Sequence, residues 1–341
     1  MKNEIAVTGI GLISPWGEQV EDVVSALDKM KKSESGKIFV TESIDRFDSV
    51  QKLGKKGLRQ MNRSAVFGTY AAIRCLSDSG VDVSNLSDEL GVVLGTQFGH
   101  LDRHEQMLKI IREEGARNLN PTDAGYGGVN VLASMIGMRT NAKSVNATIN
   151  NGCTSGLDAV QYACRMITGH HAAHILAGGV ETSSKYYYKW LQANQNIRAY
   201  EGAGFIHLEK PETAEKRGVK SYAAVRGFSS FPFVEANSIS KSMSRALTNA
   251  DVGAEEIDLF VGGDKDSYKD CEIAKFQPKH KVFIKDILGE GMAVSGIYQI
   301  LISLHFLKNN YANALIHLSG REGNSSSIIL SNCAKVKGEF Q

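Results

Sequence analysis

The sequence predicts an α/β protein in which helices cover the sheets. Three observations carry this reading. Short β-rich runs alternate with segments whose apolar positions recur at helical spacing. The 341 residues hold only 5 prolines and no low-complexity tract, so no linker is marked. The composition, 42% hydrophobic and 22% charged, is that of a globular chain able to bury a large core without disulfides or metal.

In chain order, Ile5–Thr8 is a β-rich run that Gly9 and Gly11 close. Residues 18–31 and 63–79 carry helical periodicity, and Gly91–Gly95 (GVVLG) reads as a buried strand. Residues 101–114 and Asn130–Met138 read as helices, Ser144–Ile149 as a strand, Cys153–Thr168 as a helix and His174–Gly178 as a strand. A second series follows. Gly204–Leu208 and Tyr222–Val225 are strands, 236–250 a helix, and Ile257–Val261 and Val282–Ile284 short strands. Met292–Leu307 is a helix, and Ala314–Leu318 and Ser327–Leu330 are strands.

A formal net charge of +2 implies no nucleic-acid or membrane partner. Basicity is local, at Lys29–Lys32 and Lys52–Arg59. Such runs are usually solvated surface, and the sharper reading is a landing site for an acidic carrier protein on Lys55, Lys56 and Arg59. The five cysteines (Cys75, Cys153, Cys164, Cys271 and Cys333) are scattered, with no CxxC pair or Cys/His cluster to hold zinc. A reducing cytoplasm fits them, and no cofactor is expected. The N-terminus is a charged tip followed by a strand rather than a signal peptide, and no apolar run approaches the roughly 20 residues that cross a bilayer.

One cysteine stands apart. Residues 144–164 read SVNATINNGCTSGLDAVQYAC, a β-branched strand, then Asn150, Asn151 and Gly152, then Cys153 and an Ala-rich helix. The thiol therefore sits at a strand-to-helix turn. Unpaired N–H groups and the helix dipole there favour thiolate and can stabilise an oxyanion. The plainer alternative is a small buried cysteine.

NGCTSGLDAVQYACRMI (151–167) resembles the nucleophile segment of the β-ketoacyl-acyl-carrier-protein synthases, above all the ketosynthases of type II polyketide systems. IAVTGIGLISPWG, GVVLGTQFG, HILAGGVETSS, YEGAGFIHLEK, KDILGEGMAVSGIYQIL and GREGNSSSIILSN follow in family order, so the likeness spans nearly the whole chain. The resemblance implies a thiolase-like, five-layer αβαβα sandwich of two similar halves, here 1–215 and 216–341, in one unit. It implies that Cys153 accepts an acyl chain from a phosphopantetheine-bearing acyl carrier protein. It implies pairing across a two-fold axis through strand 144–149, either with itself or with a ketosynthase subunit.

The chain departs from that family where the histidines belong. In the loop VGGDKDSYKDCE, if Asp270 matches the family's aspartate, Gly262 stands where the first histidine is expected. No histidine lies between 208 and 279, so a small shift of alignment restores none. At the second site Lys285 and Gly289 match, but Glu290 replaces histidine. An ionised glutamate only accepts hydrogen bonds and repels a malonyl carboxylate or enolate. GREGNSSS, with Arg321 and Glu322, replaces a glycine- and phenylalanine-rich gate. Loops between Trp190 and Tyr200 and between Phe228 and Asn237 are short.

These departures favour a non-condensing partner subunit, like the chain-length factor that shapes a ketosynthase's tunnel. Retention of Cys153 counts the other way. It keeps open a Cys153-dependent acyltransferase, with Glu290, Asp264, Asp266 or His280 as base and Lys285 tuning charge, or a full condensing enzyme. His100 and His104 have the i, i+4 spacing of metal ligands but no evident third ligand. His174, His207, His305 and His317 read as core histidines.

Overall fold

Residues 4–31, 40–121, 125–193, 198–232, 238–265, 268, 277–309, 311–320 and 322–333 are described by a computed structural model. Its strands are β1 (Ile5–Ile13), β2 (Val40–Glu42), β3 (Leu90–Gly95), β4 (Asn146–Ile149), β5 (His174–Glu181) and β6 (Arg198–Tyr200). They continue with β7 (Gly202–Glu209), β8 (Ala223–Pro232), β9 (Leu259–Gly262), β10 (His280–Phe283), β11 (Asn313–Gly320) and β12 (Asn324–Ser331). The principal helices are α1 (Val20–Lys31), α2 (Arg63–Ser79), α3 (Leu101–Glu113) and α4 (Val131–Thr140). After these come α5 (Ser155–Thr168), α6 (Lys185–Ala193), α7 (Ser238–Ala250) and α8 (Ala293–Lys308).

Ten strands form one sheet in the order β10-β9-β11-β12-β8-β1-β7-β5-β3-β4. Its two sides repeat each other. Numbered along the chain, β1, β3, β4, β5 and β7 lie in the order 3-2-4-5-1 from the outer edge inward. So do β8, β9, β10, β11 and β12. The halves join where β1 pairs antiparallel with β8, Ile5 opposite Val225 and Val7 opposite Ala223. Helices α5 and α8 lie between the halves, each packing on strands of both. Helices α2 and α4 cover the outer face of the first half, and α7 that of the second. This is the five-layer αβαβα arrangement of the thiolase-like fold.

Strand alternation packs both faces of each half into three clusters. Val92, Leu94, Leu176 and Phe205 point outward under α2 and α4. Val93, Ile175, Ala177 and Ile206 point inward, to meet Val261, Ile316 and Ile328 across the central helices. Phe260, Leu315 and Ile329 point outward again beneath α7.

Several boundaries differ from the sequence reading. Gly9 and Gly11 do not close β1, which runs on to Ile13. They let α2 lie directly on the strand: a Cβ at Gly11 would overlap the Cys75 amide nitrogen, and one at Gly9 would stand 2.6 Å from the Cys75 carbonyl oxygen. Strand β8 extends to Pro232, because Ser229–Pro232 pair with Asn324–Ser327. Helix α6 and the parallel β2–β6 pair are additions the periodicity did not mark. Among the described residues no helix is long and apolar enough to cross a membrane.

Candidate functional site

The carboxyl ends of the parallel strands β3, β4 and β5 converge, and β4 leads into Cys153. Gly152 turns the chain with φ +65°, a conformation that suits glycine. The turn is held from several sides. The Gly152 N–H donates to Gln97 Oε1 at 2.9 Å, and the Asn151 N–H to Ser155 Oγ at 2.7 Å. Asn324 Nδ2 donates to the Asn151 carbonyl at 2.6 Å. Below it Gly95 and Gly156 permit close stacking of β3, α5 and α8.

Cys153 is 1% exposed, and its Sγ donates to the Ser319 carbonyl at 3.4 Å. Lys285 reaches the thiol and pairs at 2.9 Å with Glu290 Oε2, both side chains being largely buried. Glu290 is held in turn: its Oε1 accepts from the Met292 N–H at 2.8 Å, and its carbonyl accepts from Tyr187 Oη at 2.6 Å. Lys285 and Glu290 thus join Cys153, as the sequence expects. Asp264 adds to the field at Lys285.

Burial works against the thiolate expected at the helix start. Burial pushes the Cys153 thiol up to about 12, Glu290 and Glu322 add to this, and Lys285 opposes them without prevailing. Burial disfavours the Lys285 ammonium too, but Cys153, Glu290 and Asp264 outweigh it and leave its pKa raised. Near neutral pH the thiol keeps its proton, so Glu290 is the partner that keeps Lys285 charged.

Other residues stand where the resemblance places the histidines. A Cβ on Gly262 would face the Phe260 and Phe283 rings, away from the thiol. One on Gly263 would face Leu318 and the Lys285 stem, so Gly263 is the position that looks into the site. His280 does not approach Cys153. It stands at the opposite end of β10 from Lys285, with its ring 4.9 Å from that of Phe306. Asp266, Asp270, Cys271 and Arg321 lie outside the described residues.

Of the remaining candidates, Lys55, Lys56 and Arg59 are exposed, whereas Lys52 is tied to Glu18 at 3.0 Å. His100 and His104 stack edge-on at 5.2 Å between centroids, with no third metal-type ligand beside them among the described residues. His174, His207 and His317 are buried as expected, but His305 is part-exposed, 3.6 Å from Glu21. His174 and His207 meet Glu209, yet Arg217 already holds that carboxylate at 3.0 Å and Thr8 donates to it at 2.7 Å. The cation position is therefore taken by a guanidinium.

Sequence reasoning missed two supporting acids. Glu181 is fully buried and accepts from the Gln97 and Phe98 amides at 2.9 and 2.8 Å, which sets the loop that positions Gly152. Burial pushes its carboxyl up to about 8 against those donors. Glu201 accepts from Ile44 N, Ser183 N and Arg63, tying two loops to the start of α2. Their signal was a glutamate ending or preceding an apolar strand, in HILAGGVE and YEGAGF.

Comparison with known proteins agrees with this arrangement. The family profile "Beta-ketoacyl synthase, N-terminal domain" matches residues 28–197. The 3-oxoacyl-[acyl-carrier-protein] synthase 2 of Vibrio cholerae serotype O1 is 28% identical over 96% of this chain and 85% of its own length. That of Coxiella burnetii is 23% identical over 93% and 89%. Among solved structures, a type II PKS acyl-carrier protein in complex with its ketosynthase bound to the hexaketide aligns with a TM-score of 0.85, at 21% identity over 97% and 99% of the two chains. The ishigamide ketosynthase/chain length factor aligns with a TM-score of 0.81, at 21% identity over 96% and 99%.

Proposed function

Since the chain belongs to the β-ketoacyl synthase family, we propose that it is a non-condensing subunit of a type II polyketide or fatty-acid synthase, a chain-length-factor-like partner of a ketosynthase. One observation carries this reading: the second histidine position holds Glu290, locked in an ion pair with Lys285 beside Cys153. Decarboxylating a malonyl thioester requires a donor for the developing enolate. A paired carboxylate supplies none, and Gly262 and Gly263 supply none from the other side. General acid–base help is worth about 10²–10⁴-fold per group, so losing both leaves little condensation.

The partner is a ketosynthase or a second copy of this chain, joined along the open edge of β4, the last strand of the sheet. An acyl carrier protein docks on Lys55, Lys56 and Arg59, whose charge suits an acidic surface. The two halves, 1–215 and 216–341, act as one unit in the cytoplasm. The test is carbon dioxide release from malonyl-carrier protein by the isolated chain. The reading predicts the uncatalysed rate, and turnover matching a competent ketosynthase overturns it.

A second reading rests on the intact thiol. Because Cys153 keeps its turn and its Lys285 contact, it retains the geometry of an acyl acceptor, and the chain would then be a Cys153-dependent acyltransferase. Intact mass after incubation with acyl-carrier protein decides: an acyl adduct lost in Cys153→Ala favours it, and an unmodified chain removes it.

A further inference from the structure

The loop joining β11 to β12 sets Glu322 over the Cys153 turn. A Cβ at Gly152 would come within 2.5 Å of Glu322 Cδ and 2.7 Å of its Oε2. One at Gly320 would overlap the same oxygen and lie 2.9 Å from Cys153 Sγ. Two glycines thus leave room for one carboxylate directly beside the thiol. Glu322 is exposed and lies on the solvent side, whereas Glu290 is buried and paired with Lys285. Among the described residues, two carboxylates and one ammonium act on the thiol. Of these groups Glu322 is the one open to solvent.

We propose that Glu322 selects by charge what reaches Cys153: it turns away carboxyacyl thioesters of the malonyl kind and admits uncharged acyl thioesters. This rests on the reading that the chain handles carrier-bound acyl groups, and it names their class. In the exchange concerned, the Cys153 Sγ–acyl bond forms and the acyl–pantetheine C–S bond breaks. The thiol proton leaves on the pantetheine sulfur. A carboxylate at the β position of the acyl group would approach both Glu322 and Glu290. An uncharged chain meets no such repulsion.

Labelling with small methanethiosulfonates tests the charge rule without any carrier or partner, so its outcome is separable from that of the functional reading. The protein carries Cys271→Ser and Cys333→Ser, which leaves Cys75 and Cys164 buried as background. Reagents bearing a sulfonate, a methyl and an ammonium group are compared by rate of adduct formation on Cys153. The expected order is ammonium, then methyl, then sulfonate, with the sulfonate about fivefold slower than the methyl reagent, the worth of one unit charge a few ångströms away in water. In Glu322→Gln, a change at an exposed side chain, the three rates converge. Equal rates in the parent protein, an order that survives Glu322→Gln, or no labelling in either protein overturns the proposal.

Discussion

The Lys285 ammonium lies between two groups that want it, the Glu290 carboxylate at 2.9 Å and the Cys153 thiol. Glu290→Gln removes one charge that raises the thiol pKa and releases Lys285 toward sulfur. The thiolate fraction near pH 8 then rises about tenfold for each unit the pKa falls, and iodoacetamide reacts faster in proportion. An unchanged alkylation rate contradicts this electrostatic account. His317 offers a second residue-scale test. Burial and the Lys285 charge lower its pKa from 6.5 to about 4, against the pull of Asp264, while its Nδ1 stays within 2.8 Å of Ser327 Oγ. The unfolded chain takes up this proton near pH 6.5 and the folded chain does not, so stability is lost as pH falls through that window. The expected loss is about 3 kcal/mol by pH 4. Chemical denaturation of His317→Asn should show a correspondingly flatter profile, and an equally steep one contradicts it. Cys153, Lys285 and Glu290 were legible because each sits in a local motif. Glu322 was legible only as part of the altered gate that borders the nucleophile. Its seat against Gly152 needed the fold, and the thiol's environment followed from burial that no motif displays.

Helix α2 rests on β1 through Gly9 and Gly11, where no side chain intervenes. Gly11→Ala forces a methyl into the Ala71–Cys75 backbone, and the expected cost is about 1–3 kcal/mol, read as a shift in the denaturation midpoint at constant slope. An unchanged midpoint contradicts the close approach. From the sequence these glycines read as terminators, because a strand glycine that admits a helix looks the same as one that ends a strand. Other element-scale misses have the same origin: β8 grew because β12 pairs with it over its full length, a long-range contact without a local signal. At the open edge, the carbonyls of Val145 and Ile149 accept from β3, so the backbone groups of residues 146 and 148 face outward. Thr148→Pro therefore removes a donor from that edge while sparing the β3 ladder. The pairing proposed for β4 predicts a fall from dimer to monomer mass in sedimentation. A dimer that persists rules that edge out.

Across the whole molecule, two five-stranded units in the same 3-2-4-5-1 order enclose α5 and α8, and the thiol sits where α5 begins. The alternation of strands and helices made the α/β class legible. The layered sandwich came from the resemblance, since periodicity alone does not say which strands pair. What we propose distinguishes the chain is chemical rather than architectural: the scaffold and the cysteine stay, and Gly262 and Glu290 stand where the resemblance expects histidines. The central claim is that such a molecule assists condensation without performing it. It is tested most directly by product formation in a mixture of acyl carrier protein, malonyl donor and a ketosynthase partner, with this chain present as the parent protein, present as Cys153→Ala, or omitted. The account predicts altered yield or chain length on omission and unchanged product with Cys153→Ala. Full condensation by this chain without the ketosynthase would contradict it.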